Sequence, residues 1–170
     1  HSKMTPRDGE RMPSLSEVIE AVRAVKEDFR LFIEIKTSIG DRTLSQSAEA
    51  VAEAVVGELR AAAFREFAVL VGFDWKGLIH AKMLDPELPC WFSTERKSRL
   101  GADAILAHGG DGWFCALERT NTEAVQAARA CGLSIGIWTV NDVRELRALL
   151  GLGVDALCTD RPDRLKILSR

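Results

Sequence analysis

The sequence predicts a parallel α/β fold, closed into a barrel or left as an open sheet, and three observations carry that prediction. Short apolar runs of strand length alternate with helical periodicity about every twenty to thirty residues. The runs stop at polar residues, and glycines close several of the helices between them. The chain has 170 residues, 46% hydrophobic and 28% charged, which suffices for one core and one domain.

The elements follow in order. Residues 1–13 are polar and carry Pro6, Gly9 and Pro13, as a linker or the remnant of a preceding segment would; 14–170 form the domain. Ser14-Leu15-Ser16-Glu17 has the capping-box pattern, and Leu15, Val18, Ile19, Val22 and Val25 fall at helical spacing, so a helix spans about 14–26. The strand of Phe32 to Lys36 comes next, then a polar loop from Thr37 to Thr43 that ends near a Ser45 cap. The second helix turns Ala48, Val51, Ala52, Val55, Val56 and Leu59 to one face. Ala68 to Gly72 reads as a buried strand, and Phe73-Asp74-Trp75 opens a third helix with Leu78, Ile79 and Met83 inward, ended by Pro86 and Pro89.

Cys90-Trp91-Phe92 is a brief strand, Thr94 to Leu100 a helix of one or two turns, and Ala104 to Ala107 another strand. Asn121 or Thr122 caps a helix to Ala130 that Gly132 closes. Ser134 to Trp138 is a strand, Asn141 caps a helix through Leu150 closed by Gly151 and Gly153, and Asp155 to Cys158 is the last strand. Six strands result, near 31–36, 67–72, 90–93, 104–107, 134–138 and 155–158.

Net charge of −2 and a pI near 6.0 exclude a bulk electrostatic drive toward nucleic acid or an anionic membrane. The longest apolar runs fall short of the roughly 20 residues a spanning helix needs, and the opening His1 to Asp8 lacks the form of a signal peptide. A cytoplasmic location is the expectation, with further residues expected ahead of His1. Cys90, Cys115, Cys131 and Cys158 are widely spaced without a C-x-x-C pair, which favours buried thiols over disulfides or zinc.

One strand breaks the apolar pattern. In Phe32-Ile33-Glu34-Ile35-Lys36, Glu34 and Lys36 share one face and the isoleucines the other. If the isoleucines pack on helices, both charges look toward the inside of the sheet or barrel, where an unpaired charge is costly. A hard cation on the carboxylate and a phosphate on the ammonium would account for the pair. A solvated ion pair on a one-sided strand is the alternative. Because chemistry in such folds collects at the carboxyl ends of strands, the candidate rim is Glu34, Lys36, Phe73, Asp74, Thr94, Glu95, His108, Trp138 to Asn141 and Thr159 to Arg161. No G-x-G-x-x-G or Walker loop supports nucleotide binding.

Four stretches in order carry a resemblance: Gly9 to Val18, Phe32 to Lys36, Ile137-Trp138-Thr139-Val140-Asn141, and Val154 to Pro162. Together they resemble the glycerophosphodiester phosphodiesterase family. The resemblance implies a TIM-type (β/α)8 barrel, here incomplete with about six of eight β/α units. It also implies hydrolysis of glycerophosphodiesters, small molecules of lipid metabolism, to glycerol 3-phosphate and an alcohol with a divalent cation, Mg or Ca. In that reading Glu34 takes the place of a metal-binding carboxylate, Lys36 meets the substrate phosphate, and Phe73 and Trp138 line the substrate pocket. Gly72-Phe73 stands where the family usually has Ser-Phe.

The family's His-Arg-Gly motif, its Glu-x-Asp metal pair and its second His-Asp are not found in the chain. The expectation is therefore little or no hydrolysis by this chain alone. His80 reads as a surface or packing residue, and His108 as a loop residue more readily than a catalytic one. Trp75, Trp91 and Trp113 read as packing residues, and Asp74 and Asp160 as caps or turn residues. Two other functions fit: a non-catalytic binding or assembly module, whose exposed sheet edges would favour a homo-oligomer, and a barrel enzyme for another phosphorylated substrate.

Overall fold

The computed structural model describes residues 11–25, 30–37, 46–96 and 98–167. The linker expected over 1–13 lies mostly outside the described residues, as do most of the polar loop after Thr37 and the Ser45 cap. Six parallel strands stand side by side in chain order. They are β1 (Leu31–Glu34), β2 (Ala68–Gly72), β3 (Cys90–Ser93), β4 (Gly112–Ala116), β5 (Ser134–Trp138) and β6 (Ala156–Leu157). Helices α1 (Leu15–Ala24), α2 (Ala48–Ala61), α3 (Trp75–Leu84), α4 (Ala102–Ala107), α5 (Thr122–Ala130) and α6 (Val143–Leu152) precede or connect them. No helix among the described residues is long and apolar enough to cross a membrane.

Local chemistry sets the helix ends. Ser14 and Glu17 form the reciprocal capping box at α1. Ser47 caps α2, and Asn121 caps α5 by accepting the Ala124 N–H at 2.8 Å. Gly153 closes α6 at φ 73°, a left-handed position that suits glycine. The helices bury their apolar stripes on one face of the sheet, where Ile35, Leu70, Phe92, Ile135 and Ile137 meet Val56, Leu59 and Leu78 in the main core. Each fully buried side chain of that size contributes about 1.5–3 kcal/mol.

The other face is concave. Phe32 on β1 lies 5.2 Å from the Trp91 ring on β3 and 6.4 Å from Phe114 on β4. In a flat sheet β1 and β4 would stand roughly 14 Å apart, three strand spacings, so the sheet curls into a half-barrel. Val69, Val71, Trp91, Phe114 and Ala156 pack inside the curl. Glycine makes the room: a Cβ on Gly112 would lie 2.5 Å from the Trp91 indole, and one on Gly136 would lie 2.7 Å from Phe114 and 2.9 Å from Trp91. At the amino ends of the strands, Asp111 accepts the Cys90 N–H and Asp155 the Ile135 N–H, each at 2.8 Å. These carboxylates pin neighbouring strands in register at the end away from the polar rim.

Several expectations need correction. Ala104 to Ala107 belongs to α4, not to a strand, because Ala and Leu favour helix and Ala102 and Ile105, three apart, are the buried pair. The fourth strand is instead Gly112–Ala116. Thr94 to Leu100 forms no helix among the described residues; one turn closes there, from the Ser98 N–H to the Glu95 carbonyl. Asp142, not Asn141, caps α6, accepting the Arg144 and Glu145 N–H groups at 2.8 and 3.3 Å. Met83 points outward at 75% exposure. Of the cysteines, Cys90 and Cys115 are buried, whereas Cys131 is half-buried and Cys158 exposed. Burial pushes the Cys90 thiol up to about 12.

Gly136→Ala is expected to cost about 1–3 kcal/mol by overpacking the concave face. Gly57→Ala on α2, where a Cβ meets nothing within 4 Å, should add about 0.5–1 kcal/mol. Urea denaturation of both variants checks this, and equal shifts would contradict the packing described.

Candidate active site

β1 delivers the charged pair. Glu34 pairs with Val71 in register and Val71 with Trp91, which sets the carboxylate on the concave face. The Ile35 N–H donates to the Val71 carbonyl at 2.8 Å, carrying the ladder one residue beyond β1. Ile35 is 2% exposed on the helical side. Alternation then gives Lys36 the same face as Glu34. Both are solvent-exposed, so the concave face is wet at this level and the charges carry no burial cost.

The curl closes an aromatic pair over the same end. Phe73, just past β2, and Trp138, the last residue of β5, meet edge to face at 5.4 Å although their strands are three apart. Trp138 is half-buried, and its indole N–H donates to the Phe114 carbonyl at 3.2 Å. The Trp138–Thr139 peptide is cis. Across the mouth, partial burial and the carboxylates of Asp160 and Glu34 push the Cys158 thiol up. Glu34 on the first strand thus lies within electrostatic reach of Cys158, the residue that follows the last one.

Asn141 joins the loops that follow β5 and β6. Its amide donates to the Asp160 carboxylate at 2.9 Å, and its carbonyl accepts the Asp160 N–H at 2.9 Å and the Thr159 hydroxyl at 3.1 Å. Asp160 is a turn residue, as the sequence implies. Asp74 caps α3, accepting the Lys76 N–H at 3.2 Å and the Thr37 hydroxyl at 3.4 Å.

Beside this rim runs a cleft of about 1070 Å³ between the amino ends of α2 and α3 and the loop after β3. Thr37, Phe73, Asp74, Trp75, Ser93 and Glu95 border it; Glu34, Lys36 and Trp138 do not. Trp75 is more than packing, since it forms a half-buried wall of the cleft with its indole N–H on the Ser93 carbonyl at 2.9 Å. Sequence reasoning placed Thr94 and Glu95 on the rim but passed over Ser93; the strand end at position 93 is the signal that could have found it. Thr94 locks the outer loop, accepting from the Trp113 indole at 2.9 Å and from Arg119 at 3.2 Å. His108 does not end a strand. It caps the carboxyl end of α4 in the helical layer, against the Trp75 ring at 5.5 Å. His80 is half-buried within α3.

Among the described residues no three His, Cys, Asp or Glu side chains stand together as a cation site. Glu34 supplies one hard oxygen donor, Asp160 is engaged by Asn141, and the raised Cys158 thiol stays protonated at neutral pH. Mg²⁺ and Ca²⁺ take six or more oxygens, so this donor set fits one corner of such a shell and not the whole.

The sequence model described as the glycerophosphoryl diester phosphodiesterase family matches residues 1–164. A glycerophosphodiester phosphodiesterase of Caldanaerobacter subterraneus subsp. tengcongensis is 27% identical over 168 residues, covering 95% of this chain and 63% of the relative. The chain therefore spans less than two thirds of the curated relative. Among solved structures, a glycerophosphodiester phosphodiesterase from Parabacteroides distasonis superposes with a TM-score of 0.80 at 19% identity, over 96% of this chain and 66% of that one. An Oleispira antarctica phosphodiesterase, solved with the product sn-glycerol-3-phosphate, gives 0.76 at 21%, over 91% and 60%. At these identities the two structures show the shared fold.

Glu34→Gln removes a carboxylate that raises the Cys158 thiol, so more thiolate should form at a given pH and iodoacetamide should alkylate Cys158 faster at pH about 8. Cys131, raised instead by its hydrogen bond to Asp103, serves as the internal reference in peptide mass spectrometry. An unchanged ratio of the two rates would place the Glu34 carboxylate away from the mouth.

Proposed function

The chain belongs to the glycerophosphoryl diester phosphodiesterase family, and on that premise we propose that it carries the glycerol-phosphate side of a metal-dependent glycerophosphodiester hydrolase site. The observation that carries this reading is the convergence of the Glu34 and Lys36 face with the Phe73–Trp138 pair at one mouth. Lys36 presents an ammonium to the phosphate, and the two aromatic rings offer a partly dry wall to the glycerol carbons. Glu34 would supply one oxygen donor to a divalent cation, Mg or Ca, which would offset the charge of the phosphate. The sn-glycerol-3-phosphate bound by the Oleispira antarctica phosphodiesterase supports the choice of ligand.

Hydrolysis needs a group to take a proton from the attacking oxygen and another to protonate the leaving alcohol. The described histidines, His80 and His108, both sit in the helical layer and not on the concave face. Residues 14–170 are thus a partial barrel domain that binds product and does not turn over substrate alone. A second reading, an assembly module, is favoured by one observation: β1 and β6 each pair on one side only among the described residues.

Calorimetry with sn-glycerol 3-phosphate should show binding that Lys36→Ala weakens by roughly 10- to 100-fold, the worth of one charge-assisted hydrogen bond. Glycerophosphocholine turnover with Mg or Ca should stay at background. Turnover abolished by Glu34→Gln would overturn the inactivity. A concentration-dependent dimer in sedimentation, with no glycerol 3-phosphate binding, would favour the assembly module.

A further inference from the structure

The last strand needs support from outside the sheet. β6 has two residues and pairs only with β5 among the described residues, yet the segment that follows it, Cys158 to Asp160, stands at the mouth. Burial, then the Asp160 and Glu34 carboxylates, raise the Cys158 thiol, so this segment lies within electrostatic reach of the charged pair on β1. Two backbone bonds carry the ladder past the strand ends: the Cys158 N–H donates to the Ile137 carbonyl and the Val140 N–H to the Cys158 carbonyl, each at 2.8 Å. Among the described residues, every further tie from Thr159 and Asp160 to the loop after β5 runs through one side chain.

That side chain is Asn141. The Asp160 N–H can only donate, which turns the amide oxygen toward it and leaves the amide nitrogen for the Asp160 carboxylate. One amide thus accepts from the backbone and from the Thr159 hydroxyl while donating to a charged group, a combination that aspartate cannot supply. The Arg164 guanidinium donates to the Asn141 main-chain carbonyl and holds the loop from a third direction. Trp138 lies three residues back, with the fully buried Val140 between, so the link from the clasp to the indole has little slack. On its other side Trp138 is held by pairing with Ala116 and by its indole N–H on the Phe114 carbonyl.

We infer that Asn141 is the positioning residue of the mouth: by clasping Thr159 and Asp160 it keeps Trp138 seated against Phe73, so that the ligand meets a preformed wall. The inference rests on the glycerophosphodiester reading above. A wall held in place before binding spares the ligand the cost of ordering it.

The test uses the four tryptophan indole N–H signals of the ¹⁵N-labelled chain, together with calorimetry of sn-glycerol 3-phosphate. Asn141→Asp keeps the acceptor but sets an oxygen against the Asp160 carboxylate. It should displace the Trp138 signal, leave that of Trp91 in place, and weaken glycerol 3-phosphate roughly three- to tenfold, the worth of one ordinary hydrogen bond. Adding Asp160→Asn returns a donor from the opposite side and should restore both readouts. Asp155→Ala removes the comparable tie at the far end of the same strand, where Asp155 accepts the Ile135 N–H; it should lower stability in urea yet leave the Trp138 signal and the affinity as they were. Native affinity in Asn141→Asp, no recovery in the exchanged pair, or an equal disturbance of Trp138 by Asp155→Ala would overturn the inference. If the native chain binds no glycerol 3-phosphate, the glycerol-phosphate reading falls, and the Trp138 signal of the free chain alone then decides the clasp.

Discussion

The curl of the sheet is the constraint on which the site depends. Phe73 and Trp138 sit on strands three apart, yet their rings meet at 5.4 Å. They meet because the concave face below them is filled by Phe32, Trp91 and Phe114, stacked over two positions where any side chain larger than hydrogen would collide. Gly112 and Gly136 thus decide geometry at the other end of the strands. A flatter sheet would leave Glu34 and Lys36 on an open surface, with no aromatic wall and no neighbour across the mouth.

Given that curl, electrostatics divides the rim into two unlike halves. One half has a lysine and a single carboxylate beside aromatic rings, which suits a phosphate ester. The other, the cleft past Phe73, is bordered among the described residues by Glu49, Asp74, Lys76 and Glu95 and holds an indole fixed through its N–H to a backbone carbonyl. Side-chain hydrogen bonds brace the loops around both halves: the Asn141 amide ties the β5 and β6 loops together, and the Thr94 hydroxyl ties the loop after β3 to Trp113 and Arg119.

Much of this was legible in the sequence where one local rule acted alone. The period of two in Phe32 to Lys36 gave the face of Glu34 and Lys36, and the Ser14–Glu17 box, Asn121 and Gly153 marked helix ends that the structure keeps. Errors arose where two rules competed. Ala104-Ile105-Leu106-Ala107 is apolar enough for a strand, but its composition and i, i+3 burial favour helix, and the aromatic Trp113-Phe114-Cys115 run took the strand instead. Asn141 and Asp142 are adjacent and both able to cap; the tertiary contact to Asp160 claimed the first. The cleft was illegible because residues 47–49, 74–76, 93–95 and 108 come together only through the sheet's curvature and helix placement.

The most direct measurement is a crystal structure with sn-glycerol 3-phosphate bound. A phosphate oxygen about 2.8 Å from the Lys36 Nζ, the length of a charge-assisted hydrogen bond, with the glycerol against Trp138, is the predicted result. Ligand seated elsewhere, or Glu34 and Lys36 directed to the outer surface away from Trp138, would contradict a shared mouth for the charged pair and the aromatic pair.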